Sequence, residues 1–108
     1  MDDVIKLISE TQTQDDYGIW QKTQSYTEVF CQVHSITRSE FYDAGRNGLN
    51  PDYYFTLFVG DYSGQRLVEY SGKVYAVYRT YIKPGTDYIE LYVQREGGVN
   101  GKSESNGG

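Results

Sequence analysis

The side chains that most often carry catalysis or bind metal ions are scarce in this sequence. Among 108 residues, His34 is the only histidine and Cys31 is the only cysteine. A histidine-based triad and a multi-histidine metal site both need partners that a single chain does not offer here. The sequence therefore predicts no cofactor and no metal site within one chain. A metal site that bridges subunits is the one arrangement left open.

Carboxylates could still serve acid–base chemistry, but turns and chain ends explain their positions better. The pairs Asp2-Asp3 and Asp15-Asp16 and the single Asp61 lack the spacing of a calcium loop. The scattered glycines form no phosphate-binding motif, and no nucleophile stands beside a base. We therefore expect no enzymatic activity. A carboxylate pair assembled by the fold is the alternative that spacing alone does not exclude.

Charge, cysteine content and hydropathy narrow the function classes further. The net charge is −5, from 15 acidic and 10 basic side chains. Phosphate backbones repel such a chain, which argues against autonomous DNA or RNA binding. The lone Cys31 lies in an apolar pattern and is expected to be buried. With no signal peptide in the sequence, this predicts synthesis in a reducing cytoplasm. No apolar run is long enough for a membrane helix, so no membrane association is expected.

Tyrosine is the most unusual component, supplying 12 of the 17 aromatic residues. Its ring is apolar and its hydroxyl can stay hydrated, so it suits protein interfaces. A simpler explanation is β-propensity, since aromatic side chains fit a pleated surface. Both explanations predict a sheet-rich protein.

The elements that must position these residues follow from hydrophobic periodicity. Alternation with a period of two is clearest where Val29, Cys31 and Val33 share one face, and again where Ile89, Leu91 and Val93 do. Turn residues separate the apolar stretches. The predicted strands are Val4–Ser9, Tyr26–Ser35, Tyr53–Gly60, Leu67–Tyr70, Val74–Tyr81 and Tyr88–Arg95.

The polar stretch Glu10–Asp16 is expected to end the first strand, and a turn is expected around Asp15-Asp16-Tyr17-Gly18. Further turns are predicted at Ser71-Gly72 and Pro84-Gly85. Six short strands at this spacing favour an antiparallel barrel or sandwich.

One segment departs from the strand pattern. Thr37-Arg38-Ser39-Glu40 matches a capping box, in which Thr37 caps a helix and the Glu40 side chain reaches back. We predict a helix over residues 37–46, with Phe41 and Ala44 on its apolar side, followed by a loop. Arg38 and Arg46 flank Tyr42 and could anchor an interface, or could simply lie on a solvated helix. The last residues, 97–108, are predicted to be a flexible tail beyond a single domain of residues 1–96.

The order of these segments resembles phage head-tail joining proteins, which are also called head closure or head-tail adaptor proteins of tailed bacteriophages. The resemblance covers about residues 4–98. It is carried by VFCQV (29–33), SITRSEFY (35–42), VEYSGKVY (68–75) and DYIELYV (87–93), in this order and in a chain of this length.

The resemblance implies a small antiparallel β-barrel of about six strands, with a short helix in the insertion after the second strand. It also implies a virion protein that forms a ring beneath the portal, helps to retain packaged DNA and offers a docking surface to the tail. The free protein can be a monomer, and DNA would pass nearby without specific binding. The expected partners are portal or connector proteins, tail proteins and other copies of the chain.

In the family, the insertion between the second and third strands is the part expected to make contacts. It corresponds here to Thr37–Asp52, and the expected interaction residues are Arg38, Glu40, Phe41, Tyr42 and Arg46. The alternative function is a small β-barrel binding module of the oligonucleotide-binding or SH3-like type. Such a module would need a basic or aromatic groove.

Overall fold

The fold is a closed antiparallel barrel of six strands with one helix after the second strand, as predicted. The computed structural model describes residues 3–96. The predicted tail, residues 97–108, lies outside the described residues. Around the barrel the strands follow the order β1-β2-β3-β6-β5-β4. The elements are β1 (Asp3–Gln14), β2 (Trp20–Ser35), α1 (Arg38–Arg46), β3 (Pro51–Phe58), a short 3-10 turn (Val59–Asp61), β4 (Leu67–Tyr70), β5 (Lys73–Ile82) and β6 (Tyr88–Arg95).

Alternate residues of all six strands fill the barrel interior. The predicted inward faces are confirmed, because Val29, Cys31 and the β6 residues all lie in the core. Phe55 is fully buried, and its ring centroid lies 5.4 Å from that of Tyr70. The core consists of Ile5, Leu7, Val29, Cys31, Phe55, Leu57, Val68, Tyr75, Ile89, Leu91 and Val93. Burial of these side chains is the main source of stability.

The turn predictions are confirmed where the backbone needs a left-handed conformation. Between β4 and β5, Ser71 and Gly72 have φ values of 52° and 75°. This pair of positive φ values is typical of the two-residue hairpin turn whose twist matches its strands. The turn before Trp20 is also formed, with Gly18 at φ 80°.

Two strand boundaries differ from the prediction. The polar stretch after Ser9 does not end β1, which continues to Gln14, and β2 begins at Trp20 rather than at Tyr26. The added residues of β1 pair with the added residues of β2 along the whole extension, as in Thr11 with Thr23. Strand pairing rather than burial stabilises them, so hydrophobic alternation does not reveal them.

The third strand also differs slightly, because it begins at Pro51 and ends at Phe58. Proline is tolerated there because it occupies the first position of the strand. Val59 lies in the 3-10 turn but still packs against the core, as expected.

Candidate interaction surfaces

Helix α1 is positioned by its cap and by one acidic side chain. The Thr37 hydroxyl accepts a hydrogen bond from the Glu40 backbone N–H at 3.1 Å, so the predicted cap is confirmed. The predicted return contact of the Glu40 side chain is wrong. Its carboxylate instead accepts hydrogen bonds from Arg79 Nη2 at 2.6 Å and from the Tyr78 hydroxyl at 2.7 Å. A charged partner on the barrel gives a stronger bond than the backbone N–H would.

This contact shifts the pKa values of Glu40 and Tyr78. The hydrogen bond from Arg79 lowers the pKa of Glu40 below its ordinary value of 4.5, against the opposing effect of burial. Burial, followed by the hydrogen bond to Glu40, raises the pKa of Tyr78. At neutral pH the arrangement is therefore a carboxylate held by a guanidinium and a protonated phenol. It ties the insertion to strand β5 of the barrel.

A row of stacked side chains crosses the outer face of the barrel next to this contact. The ring centroids of His34 and Tyr54 are 4.6 Å apart, and those of Tyr54 and Tyr92 are 4.9 Å apart. The guanidinium carbon of Arg79 lies 3.8 Å from the Tyr92 ring centroid. These residues are direct cross-strand neighbours on β2, β3, β6 and β5. His34 therefore stacks within a cross-strand surface row.

An irregularity in β5 allows Arg79 to lie over the Tyr92 ring while Arg79 and Tyr78 both bind Glu40. The register shifts between Val77 and Arg79, which is the signature of a β-bulge. The bulge lets two successive residues, Tyr78 and Arg79, both reach Glu40. Nearby, burial and a hydrogen bond to Glu90 raise the pKa of Tyr92 to about 12. Tyr92 is therefore uncharged throughout the physiological range.

The other four expected interaction residues point away from this contact. Phe41 is 49% exposed and Tyr42 is 63% exposed, with their rings in edge contact. Arg38 is also exposed, and Arg46 pairs with Asp43 on the helix surface. The predicted apolar side of the helix is wrong for Phe41, because only Ala44 is buried. Glu40 is thus a structural anchor, while the remaining four residues form an accessible helix surface.

The second surface is a two-stranded arm that sequence reasoning missed. We define the arm as residues 10–28, all of which are exposed except the half-buried Asp15. In the described part of the chain, β4 pairs with β1 only at Lys6–Ile8, and β3 pairs with β2 only at Gln32–Ser35. The arm therefore projects from the barrel as a ribbon, paired only with itself.

Apolar side chains are concentrated at the end of the arm. We define the tip as Tyr17, Ile19 and Trp20, which are 88%, 60% and 64% exposed. The turn that presents them is well ordered by Asp15, whose carboxylate accepts hydrogen bonds from the backbone N–H groups of Tyr17 and Ile19 at 2.9 Å. A rigid turn that displays three large apolar side chains to solvent is typical of a contact surface. Large apolar residues beside a turn motif were the available sequence signal.

The third surface is a groove of about 630 Å³ on the outer face of β2, β3 and β6. Sequence reasoning missed this groove too, because its residues come from three strands. Its middle is a polar cross-strand row, and aromatic side chains flank that row on both sides. The polar row is Gln32, Thr56 and Glu90; the flanking residues are Phe30, Phe58 and Tyr88 on one side and His34 and Tyr54 on the other.

The groove combines exposed aromatic surface with polar and charged side chains in similar measure, among them Asp61, Lys83 and Glu90. Phe30 is 71% exposed and Tyr88 is 51% exposed. Lys83 lines the end of the groove that lies near the β5–β6 turn. The aromatic flanks fit a stacked ring, and the polar groups between them fit a ligand that also offers hydrogen-bond donors or acceptors.

Within residues 3–96, no three His, Cys, Asp or Glu side chains are grouped closely enough to hold a metal ion. The same residues contain no helix with the length and apolar character that crossing a membrane requires.

Comparison with known proteins adds no relative. No protein-family model matches the chain, and no curated protein matches it either.

Proposed function

We propose that the protein is a structural subunit of the neck of a tailed bacteriophage, of the head-tail joining or head closure type. It assembles as a ring beneath the portal, helps to retain packaged DNA and provides a docking surface for the tail. Its place is the virion, after synthesis in the cytoplasm of the host bacterium. The observation that carries the proposal is the exposed arm: a closed barrel holds out a rigid ribbon with an aromatic tip, which suits a subunit that is completed by its neighbours.

Two further features support this assignment. The helix-bearing insertion after β2 is fixed to the barrel through Glu40 and Arg79, yet it presents Phe41 and Tyr42 to solvent. Aromatic side chains and arginines are the residues that dominate interface energetics. The net charge of −5 suits a subunit past which DNA moves without adhering.

The test uses heads that have packaged DNA but lack this protein. Purified protein is added in excess, and the bound ratio, the nuclease resistance of the DNA and tail attachment are measured. We expect binding in a fixed ratio, and a Phe41→Ser, Tyr42→Ser double variant is expected to lose at least tenfold in affinity. Lys73→Ser, at the exposed start of β5, is the matched control. Wild-type protein that ignores these heads overturns the proposal.

A second candidate function is a free-standing binding module, and the groove is the observation that favours it. A pocket of about 630 Å³ is in the range that accommodates small molecules or peptide side chains. Calorimetric titration with single-stranded DNA and with a peptide library separates the two functions. Micromolar binding that a Tyr88→Ser substitution abolishes, together with no binding to heads, would favour the module.

A further inference from the structure

The arm tip displays apolar side chains and the groove displays exposed aromatic ones, and neither feature is filled by another part of residues 3–96. We propose that the tip of one copy docks into the groove of a second copy, so that copies join head to tail. The proposal rests on the neck-subunit function, because a ring subunit needs a contact of this kind with its own copies. It names the surfaces that form that contact.

The groove cannot be filled by the tip of the same molecule. Trp20 and Phe30 lie on one continuous strand, β2, ten residues apart. At about 3.4 Å per residue in a strand, they are separated by roughly 34 Å. Along most of this length β2 is hydrogen-bonded to β1, so it cannot fold back on itself. The tip therefore cannot reach the groove of its own molecule and is available to the groove of another copy.

The groove is large enough to admit the tip. Its volume of about 630 Å³ lies within the range of pockets that enclose small organic molecules. The indole of Trp20 is smaller than this volume, so it can enter the groove. The flanking rings of Phe58 and Tyr88 offer edge or offset-stacked contacts to an incoming indole. Glu90 and Gln32 in the middle row are hydrogen-bond acceptors for the indole N–H.

The arm also has sufficient reach. The ribbon extends past Ser9 by the pairs from Glu10 with Gln24 to Gln14 with Trp20. Five pairs correspond to about 17 Å of additional length. The shortest dimension of the protein is 23 Å. An arm of this length crosses most of the thickness of a neighbouring barrel.

The buried area indicates a weak contact that a ring would strengthen. A buried aromatic side chain contributes about 150–250 Å², so the tip and groove together bury on the order of 1,000 Å². This is at the lower limit for specific protein interfaces. Because tip and groove are different surfaces, the contact is heterologous and each copy has two such junctions in a closed ring.

Charge gives an independent signature of this occupant. Each copy carries a net charge of −5, so two copies repel one another as a whole. Salt screens that repulsion while leaving the apolar contact intact. Association between copies should therefore strengthen as salt increases, whereas docking of a basic partner would weaken.

The experiment is intermolecular paramagnetic relaxation enhancement on the full-length protein. A nitroxide is attached to a Lys22→Cys variant, on the arm next to the tip; Cys31, 4% exposed, is protected from labelling. Labelled protein is mixed with unlabelled ¹⁵N protein at about 1 mM. We expect the amide signals of Phe58, Tyr88 and Glu90 to lose more than half of their intensity, and those of Ala76 across the barrel to be unaffected.

Two variants test the two halves of the contact. Trp20→Ser in the labelled partner, and separately Tyr88→Ser in the ¹⁵N partner, should each reduce the effect at least tenfold. The second variant keeps the test decisive even where the first alters the arm. No broadening in the groove, broadening on another face, or broadening that survives both substitutions overturns the inference.

Failure of the inference is separable from failure of the proposed function. Wild-type protein that binds heads in a fixed ratio but gives no groove signal keeps the neck assignment and rejects the tip-to-groove contact. Groove broadening without head binding supports the contact and rejects the neck assignment. Sedimentation in about 50 mM and 500 mM salt adds the charge signature, with more association expected at the higher concentration.

Discussion

Strands β1 and β2 each have a barrel half and an arm half, which differ in side-chain burial but share the same backbone pairing. In the barrel half of β1, Ile5 and Leu7 are fully buried; at the same alternate positions further along, Thr11 and Thr13 are exposed. Both halves are hydrogen-bonded to β2 in one unbroken register. A strand therefore continues wherever a partner strand continues, and burial decides only how much each part contributes to stability.

The comparison shows that the buried core and the exposed apolar tip lie in different parts of the same pair of strands. The barrel half contributes the fully buried side chains, and the arm half contributes exposed threonines, glutamines and the apolar tip. Substitutions in the two regions should therefore differ in their effect on the free energy of unfolding. It should fall for substitutions in the barrel half and stay nearly unchanged for substitutions in the arm.

The largest effect is expected from Phe55→Ala. Phe55 is fully buried, and its ring packs against those of Tyr70 and Tyr75. Truncation should lower the free energy of unfolding by about 3–5 kcal/mol. Urea denaturation followed by circular dichroism measures it. A loss below about 1 kcal/mol would mean that the barrel interior is not the source of stability.

A smaller effect is expected from Glu40→Gln, which removes the charge that ties α1 to β5. The expected loss is about 1 kcal/mol, because water partly screens a pair whose Arg79 side chain is 44% exposed. A double-mutant cycle with Arg79→Met isolates the coupling between the two side chains. Additive effects of the two substitutions would contradict the proposed anchor.

The same pair predicts a dependence on pH. The pKa of Glu40 is lowered in the folded protein, so the pair stabilises fully above the ordinary value of 4.5. Its contribution is lost as pH falls through the lower folded-state pKa. The difference in unfolding free energy between wild type and Glu40→Gln should thus shrink on acidification below pH 4.5. Denaturation curves at several pH values measure it; a difference that grows in acid would reverse the sign.

The smallest effect on stability is expected from Trp20→Ser at the arm tip. Trp20 is 64% exposed and lies outside the core, so the free energy of unfolding should change by less than about 0.5 kcal/mol. Thermal unfolding measured by circular dichroism checks this value. A loss of unfolding free energy comparable to that of Phe55→Ala would show that the arm contributes to the stability of the barrel. The proposed difference between the two regions would then be wrong.

Much of the barrel could be predicted because its strands carry a burial signal. The alternation of Val29, Cys31 and Val33 and that of Ile89, Leu91 and Val93 identified inward faces correctly. The helix and its Thr37 cap also follow from local chemistry, since their contacts lie within four residues.

The arm and the helix anchor could not be predicted for two different reasons. Arm residues such as Thr11 and Gln12 are polar and exposed, so a strand signal based on burial ends at Ser9. The partners of Glu40 lie 38 and 39 residues away on β5, and a bulge decides that both can reach it. Local spacing in the sequence contains neither fact.

The register of the arm has a consequence for how its length can change. Each added cross-strand pair lengthens the ribbon by about 3.4 Å, and successive side chains point to opposite faces. Insertion of one residue in each strand would turn Trp20 to the other face, whereas two residues in each strand would restore its direction. The reach of the arm can therefore be adjusted in increments of about 7 Å, without altering one residue of the barrel.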